Sequence, residues 1–127
     1  MGARIFLAFE TLVWLPYGIY CFLVPAYLAE AAGVAFQSPT GSTELRAMYG
    51  GLQAALGVLT LSGAWRASLT RPALLTLAFL SSGLGSTRLL GALLDGGWSA
   101  YTGAGLVFEF LSATLAIRFL RAPRPAQ

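Results

Sequence analysis

Four mainly apolar stretches, at about 5–23, 47–65, 73–94 and 101–120, divide the chain. Each approaches the roughly 20 residues needed to cross about 30 Å of hydrocarbon. Turn chemistry separates them. The first connection, 24–44, holds Pro25, Gly33, a Ser38-Pro39 step and Gly41. The second, Arg66 to Pro72, is short, with Thr70 placed to cap the next helix and Pro72 tolerated in a first turn. The third is Asp95-Gly96-Gly97-Trp98-Ser99, where Ser99 is placed to cap the last helix. Short second and third connections demand antiparallel neighbours. The expected fold is therefore all-α: one transmembrane domain over 1–127, a four-helix up-and-down bundle. Within the first connection, helix formers between Pro25 and Gly33 predict one of two things. Either a short helix lies at the outer interface with Tyr27 at headgroup depth, or the first helix continues to Ala32 with a kink at Pro25.

The polar positions inside the apolar stretches recur at helical spacing. Glu10, Trp14, Tyr17 and Cys21 form one stripe. Arg46, Tyr49 or Gly50, Gln53 and Gly57 form a second, and Ser81, Gly85, Arg88, Gly91 or Ala92, and Asp95 a third. Thr102, Gly105, Glu109, Ser112 and Ala116 form the fourth. A lipid-facing charge at a helix centre costs about 3 kcal/mol, so these faces must meet one another or water. Small residues at Ala47/Gly51, Gly50/Ala54 and Ser81/Gly85 allow close approach. The reading is an interior polar cluster in the outer half of the bundle, with Arg46 and Arg88 as cations and Glu44, Asp95 and Glu109 as partners. Tyr49 and Gln53 line it. Counting Glu10, Glu44, Asp95 and Glu109 against Arg46 and Arg88 leaves an excess of negatives. The excess disappears if Glu44 and Asp95 are wet. If they are buried, a carboxyl must hold a proton, since arginine does not give up its charge. Glu10, farthest from both arginines, is the candidate proton carrier.

Composition supports the membrane reading. The chain is 57% hydrophobic and 10% charged, with a mean hydropathy of +0.71, whereas soluble domains carry about 25% charged residues. The net charge of +3 comes from eight basic residues, all arginine, against five acidic ones. Polar residues are too few for a solvated basic face, which argues against nucleic-acid binding. Arg4, Arg66, Arg71, Arg118, Arg121 and Arg124 fall on one side of the expected bundle, so the positive-inside rule puts both termini in the cytoplasm. A signal peptide cleaved near Ala29-Glu30-Ala31 is disfavoured by the long apolar stretch and by Glu10 within it. Histidine is absent and Cys21 is the only cysteine. Those counts exclude histidine-ligated haem, histidine acid-base catalysis, a disulfide framework and any CxxC pair. No metal set is apparent, and no GxxxxGK stretch supports nucleotide binding. Cys21 reads as a small hydrophobe, and Trp98 and Tyr101 as an interfacial anchor.

At these residues the chain resembles the family of domain of unknown function 4345. The resemblance lies in Glu44-x-Arg46-x-x-Tyr49-Gly50-Gly51, in Arg88-x-x-Gly91-x-x-x-Asp95-Gly96 and in Glu109. It covers nearly the whole chain, including Pro25 and Gly33. The family is similar in layout to the four-helix group that includes the DoxX type, some members of which are linked to quinone and sulfur redox chemistry; this sequence lacks a cysteine pair. The resemblance implies a four-helix bacterial inner-membrane protein and supplies no activity.

Three functions compete. An outward-facing pocket built from Arg46, Tyr49, Gln53, Arg88, Asp95 and Glu109 would hold a small anionic or amphipathic ligand or relay protons, two arginines suiting a carboxylate or phosphate headgroup. Alternatively the cluster only locks the bundle, and the chain is an accessory subunit of a larger membrane complex or a homo-oligomer. A membrane enzyme using Glu109 or Asp95 toward a lipid or quinone is the third, with no recognisable nucleophile and no cofactor site to support it.

Overall fold

The computed structural model describes residues 1–122, so Arg124 lies outside the described residues. Regular structure among them is entirely helical. Helix α1, Gly2–Leu23, carries Pro16 in its interior. The carbonyl that proline leaves without a donor is tolerated inside a membrane helix, where neighbouring groups re-satisfy it. At Val24 the backbone leaves the helical region, with φ −127° and ψ 67°, and Pro25 follows. The chain therefore breaks before α2, Tyr27–Ala32, which ends at Gly33 in the left-handed region with φ 69°. Of the two readings of this connection, the separate short helix is the one found.

A continuous helical rod follows. Ser38 caps α3, Pro39–Leu45, by accepting from the Gly41 N–H at 3.1 Å, with Pro39 in the first turn. The rod then passes through a π-helical turn, Arg46–Gly51, into α4, Leu52–Trp65. The expected start near Ala47 is corrected to Pro39, because Ser38-Pro39 is a cap followed by a helix start rather than a loop. A second correction concerns the next connection, which shrinks to Arg66 alone. Helix α5, Ala67–Asp95, takes in both Thr70 and Pro72. Thr70 is not a cap; its hydroxyl donates to the Gly63 carbonyl at 2.8 Å and ties α5 to the end of α4. Helix α6, Ala100–Arg121, is capped by Ser99, which accepts from the Thr102 N–H as expected.

The Pro39–Trp65 rod runs antiparallel along α1. Gly50 lies against Phe22, Gly57 against Leu15, and Gly18 so close to Ala54 that a Cβ there would come 2.3 Å from its backbone nitrogen. Between them Thr11 and Thr60 share a hydrogen bond of 2.9 Å. Helix α5 packs on α4 and α6 packs on α5, around a core of Phe6, Leu7, Trp14, Leu56, Leu74 and Leu77.

Three arginines finish helix C-termini belonging to other elements. Arg4 donates to the carbonyls of Ala64 and Trp65, Arg71 to that of Leu120 at 3.3 Å, and Arg46 to that of Phe22. Each satisfies last-turn carbonyls and complements the negative end of the helix dipole. The Arg4 and Arg71 contacts gather the start of α1, the α4–α5 connection and the end of α6 at one end of the molecule. Helices α1, α5 and α6 are long and apolar enough to cross a membrane.

Candidate functional site

Arg88 of α5 and Glu109 of α6 meet at the centre of the polar faces. The Arg88 Nε donates to both Glu109 oxygens, at 3.1 and 2.9 Å, and Nη2 donates to Oε1 at 2.6 Å. This fork-on-carboxylate geometry is the strong form of the pair. Two glycines make it possible. A Cβ at Gly105 would stand 2.8 Å from the Arg88 Nε, and one at Gly85 would press on Glu109 and Phe110 at 3.3–3.4 Å. By helical rise, Glu109 lies about 13 Å from the Ala100 end of α6 and Arg88 about 10 Å from the Asp95 end of α5. Side-chain exposure is 28% for Arg88 and 4% for Glu109. The Nη1 edge makes no hydrogen bond to protein among the described residues.

The pair borders a cavity of about 600 Å³. Tyr17, Tyr49, Tyr101, Trp14 and Phe108 supply aromatic walls, Gln53 a polar one, and Leu56, Leu80 and Leu84 an apolar floor. Tyr101 lies beside the Arg88 guanidinium, 5.8 Å from ring centroid to Cζ, and its hydroxyl bonds that of Tyr17 at 2.7 Å. Tyr49 and Gln53, half-buried, make no side-chain hydrogen bond among the described residues.

The expected cluster does not form as one: of its charges only Arg88 and Glu109 meet. Arg46 is corrected first: it stacks on Phe22, 5.6 Å from the ring, and caps α1 rather than lining the cavity. The rod begins at Pro39, so Arg46 sits within it, level with the end of α1. Glu44 and Asp95 are exposed and are not ion-pair partners; Asp95 is the last residue of α5, where Gly96 turns the chain away. Glu10 is buried at 1% exposure, yet away from Arg88. Its Oε2 accepts from the Trp14 indole and its Oε1 from the Ser112 hydroxyl, both at 2.7 Å. Among the described residues no cation pairs with it.

Of the expected site residues, Tyr49, Gln53, Arg88 and Glu109 come together. Tyr17, Tyr101, Trp14 and Gly105 line the same cavity beyond the expected set. Tyr17 and Trp14 stand on the Glu10 stripe, and Gly105 on the Glu109 stripe. Tyr101 gave no usable signal, since an aromatic beside Trp98 reads as an interface anchor. The Ala47/Gly51 pair is exposed, whereas Gly50 and Ala54 pack on α1. No group of side chains suited to a metal ion occurs among the described residues.

Fold and site together define a small all-helical protein, with long apolar helices compatible with a bilayer and an ion pair set in an aromatic cavity. The chain belongs to the family described as domain of unknown function (DUF4345), whose model matches residues 2–120. Every cavity residue named here lies inside that match. No curated protein and no solved structure matches the chain.

Proposed function

We propose that the chain is a multi-pass inner-membrane protein of four crossings with both termini in the cytoplasm, and that its outer-half cavity holds a small amphipathic ligand. The observation that carries this reading is the cavity itself. At about 600 Å³ it falls within the about 300–1,000 Å³ of small-molecule sites, and a few convergent polar groups among aromatic walls are what such sites use to orient a ligand. An amphipathic occupant fits better than an anion. Among the described residues only one arginine reaches the cavity, and Glu109 already neutralises it.

The fourth crossing is supported by the antiparallel run of Pro39–Trp65 along α1, and the orientation by the arginines gathered at one end. A second reading, in which the pair only locks the bundle of an accessory subunit or homo-oligomer, draws on the Glu109 carboxylate being fully engaged by Arg88.

Native mass spectrometry of protein extracted with its own lipids separates the two. A retained small molecule that is lost from Gln53→Leu or Tyr49→Phe protein of unchanged stability is the expected outcome. Bare protein, or a retained mass indifferent to both substitutions, would leave the lock reading.

A further inference from the structure

The seam between α1 and α6 is built unlike the one between α1 and the Pro39–Trp65 rod. Where α1 meets the Pro39–Trp65 rod, backbones touch across Gly18, Gly50 and Gly57. Across the α1–α6 seam the joining is by side chains. Phe6 meets Phe119 and Trp14 meets Phe108, with ring centroids 5.6 and 5.5 Å apart, and the Tyr17–Tyr101 and Glu10–Ser112 hydrogen bonds complete it. On the outside of this seam runs a groove of about 490 Å³, lined by Phe6, Phe9, Val107, Leu111 and Leu115, with Glu10 and Ser112 in its floor. Groove and cavity share two residues, Ala104 and Phe108. The wall between them is thus one methyl group and one aromatic ring, with Trp14 behind. Gly103 flanks it, and a Cβ there would meet nothing within 4 Å.

We infer that this seam is a lateral portal through which an uncharged, single-tailed amphiphile of the bilayer reaches the cavity, its head beside Arg88 and its tail in the groove. The inference rests on the cavity reading above and names its ligand class and route. The groove commits to an apolar chain because only Ala104 and Phe108 are shared between it and the cavity, and it lies along the lipid-facing length of a membrane-spanning helix. The head is uncharged because the Arg88–Glu109 pair is already neutral, and a further charge would be left unpaired at membrane depth. It carries acceptor oxygens, since the donors without protein partners are the Nη1 edge of Arg88, the Gln53 amide and the Tyr49 hydroxyl. Phe108 and Trp14 form the gate, and Glu10 is a positioning residue that holds the Trp14 indole and ties α1 to Ser112.

The test follows Trp14 fluorescence. Trp65 and Trp98 are 79% and 57% exposed and are replaced by Phe, leaving Trp14 alone. The protein, in phosphatidylcholine vesicles, is mixed with a nitroxide-labelled fatty acid methyl ester. Saturable quenching is expected. Gly103→Phe, which adds bulk to the groove without a Cβ clash, should slow its onset about tenfold, and Phe108→Ala should speed it several-fold. The free fatty acid carrying the same label should saturate at higher concentration than its ester. Equal onset rates in all three proteins would overturn the portal and leave the cavity reading standing. Tighter saturation by the free acid would overturn the uncharged head. Absence of saturable quenching in the parent would remove the cavity reading and the portal with it.

Discussion

A carboxylate that is 4% exposed at membrane depth depends on whatever neutralises it, and for Glu109 that is the Arg88 fork. Breaking a buried pair from one side costs about 3–5 kcal/mol, whereas replacing both members with apolar residues is often neutral. The Arg88 side chain is 28% exposed, so screening brings the single loss down. Arg88→Met should cost about 2 kcal/mol, and Arg88→Met with Glu109→Leu should recover most of it, read as thermal midpoints in detergent. A single variant as stable as the parent would show that water reaches the carboxylate. Gly105→Val should mimic the single loss with both charges still present, because its side chain would occupy the space of the guanidinium. Both members of this pair stand out in the sequence, each flanked at helical spacing by Gly or Ser, but which of Glu44, Asp95 and Glu109 meets Arg88 does not. Arg46 shows the limit. Its flanks look the same, but its partner is a backbone carbonyl, and every residue carries one of those.

Helices that meet through glycine are held at a distance no other residue can keep. Gly18→Ala would place a carbon 2.3 Å from the Ala54 nitrogen, a backbone atom that cannot turn aside. The overpacking cost is about 1–3 kcal/mol. Gly83 and Gly91 sit on the same kind of small-residue background in α5, yet added Cβ atoms there meet nothing within 4 Å. Gly83→Ala should therefore be neutral or gain up to about 1 kcal/mol of helix propensity. Thermal midpoints of the two alanine variants should move in opposite directions, and a shared direction would contradict the packing described. Sequence alone does not sort these glycines, since the spacing of Gly50, Gly57, Gly83 and Gly91 marks a possible face without saying which has a neighbour. Helix ends are ambiguous in the sequence for a related reason. Ser38-Pro39 and Arg66 to Pro72 contain residues that serve equally in a turn and in a first helical turn. Only the partners, Gly41 for Ser38 and Gly63 for Thr70, decide between them.

For the molecule as a whole, the consequential question is whether the Pro39–Trp65 rod crosses the bilayer, because the placement of everything after it inverts with the answer. Its α4 segment is only 14 residues long, since the π-turn interrupts the regular helix. Contacts at both ends nevertheless bind the rod to α1 along its length. Arg4 near the start of α1 holds the end of the rod, Arg46 of the rod holds the end of α1, and Thr11–Thr60 joins them in between. A rod lying on the surface would have to break all of these and expose the buried faces of Gly18, Gly50 and Gly57. If it crosses with α1, Ser68 and Gly97 lie in the cytoplasm and outside, respectively. If it does not, the two exchange places. Cysteine at each position, in a Cys21→Ser background, distinguishes the cases with a membrane-impermeant maleimide on whole spheroplasts. Gly97→Cys should label without permeabilisation, and Ser68→Cys only after it. Gly97 is exposed with open space around it and Ser68 is exposed in the first turn of α5, so neither substitution should disturb folding. The reverse labelling would sink the four-crossing topology with cytoplasmic termini. It would also move the Arg88–Glu109 cavity to the cytoplasmic half of the membrane, so the same labelling fixes which face of the bilayer the cavity serves.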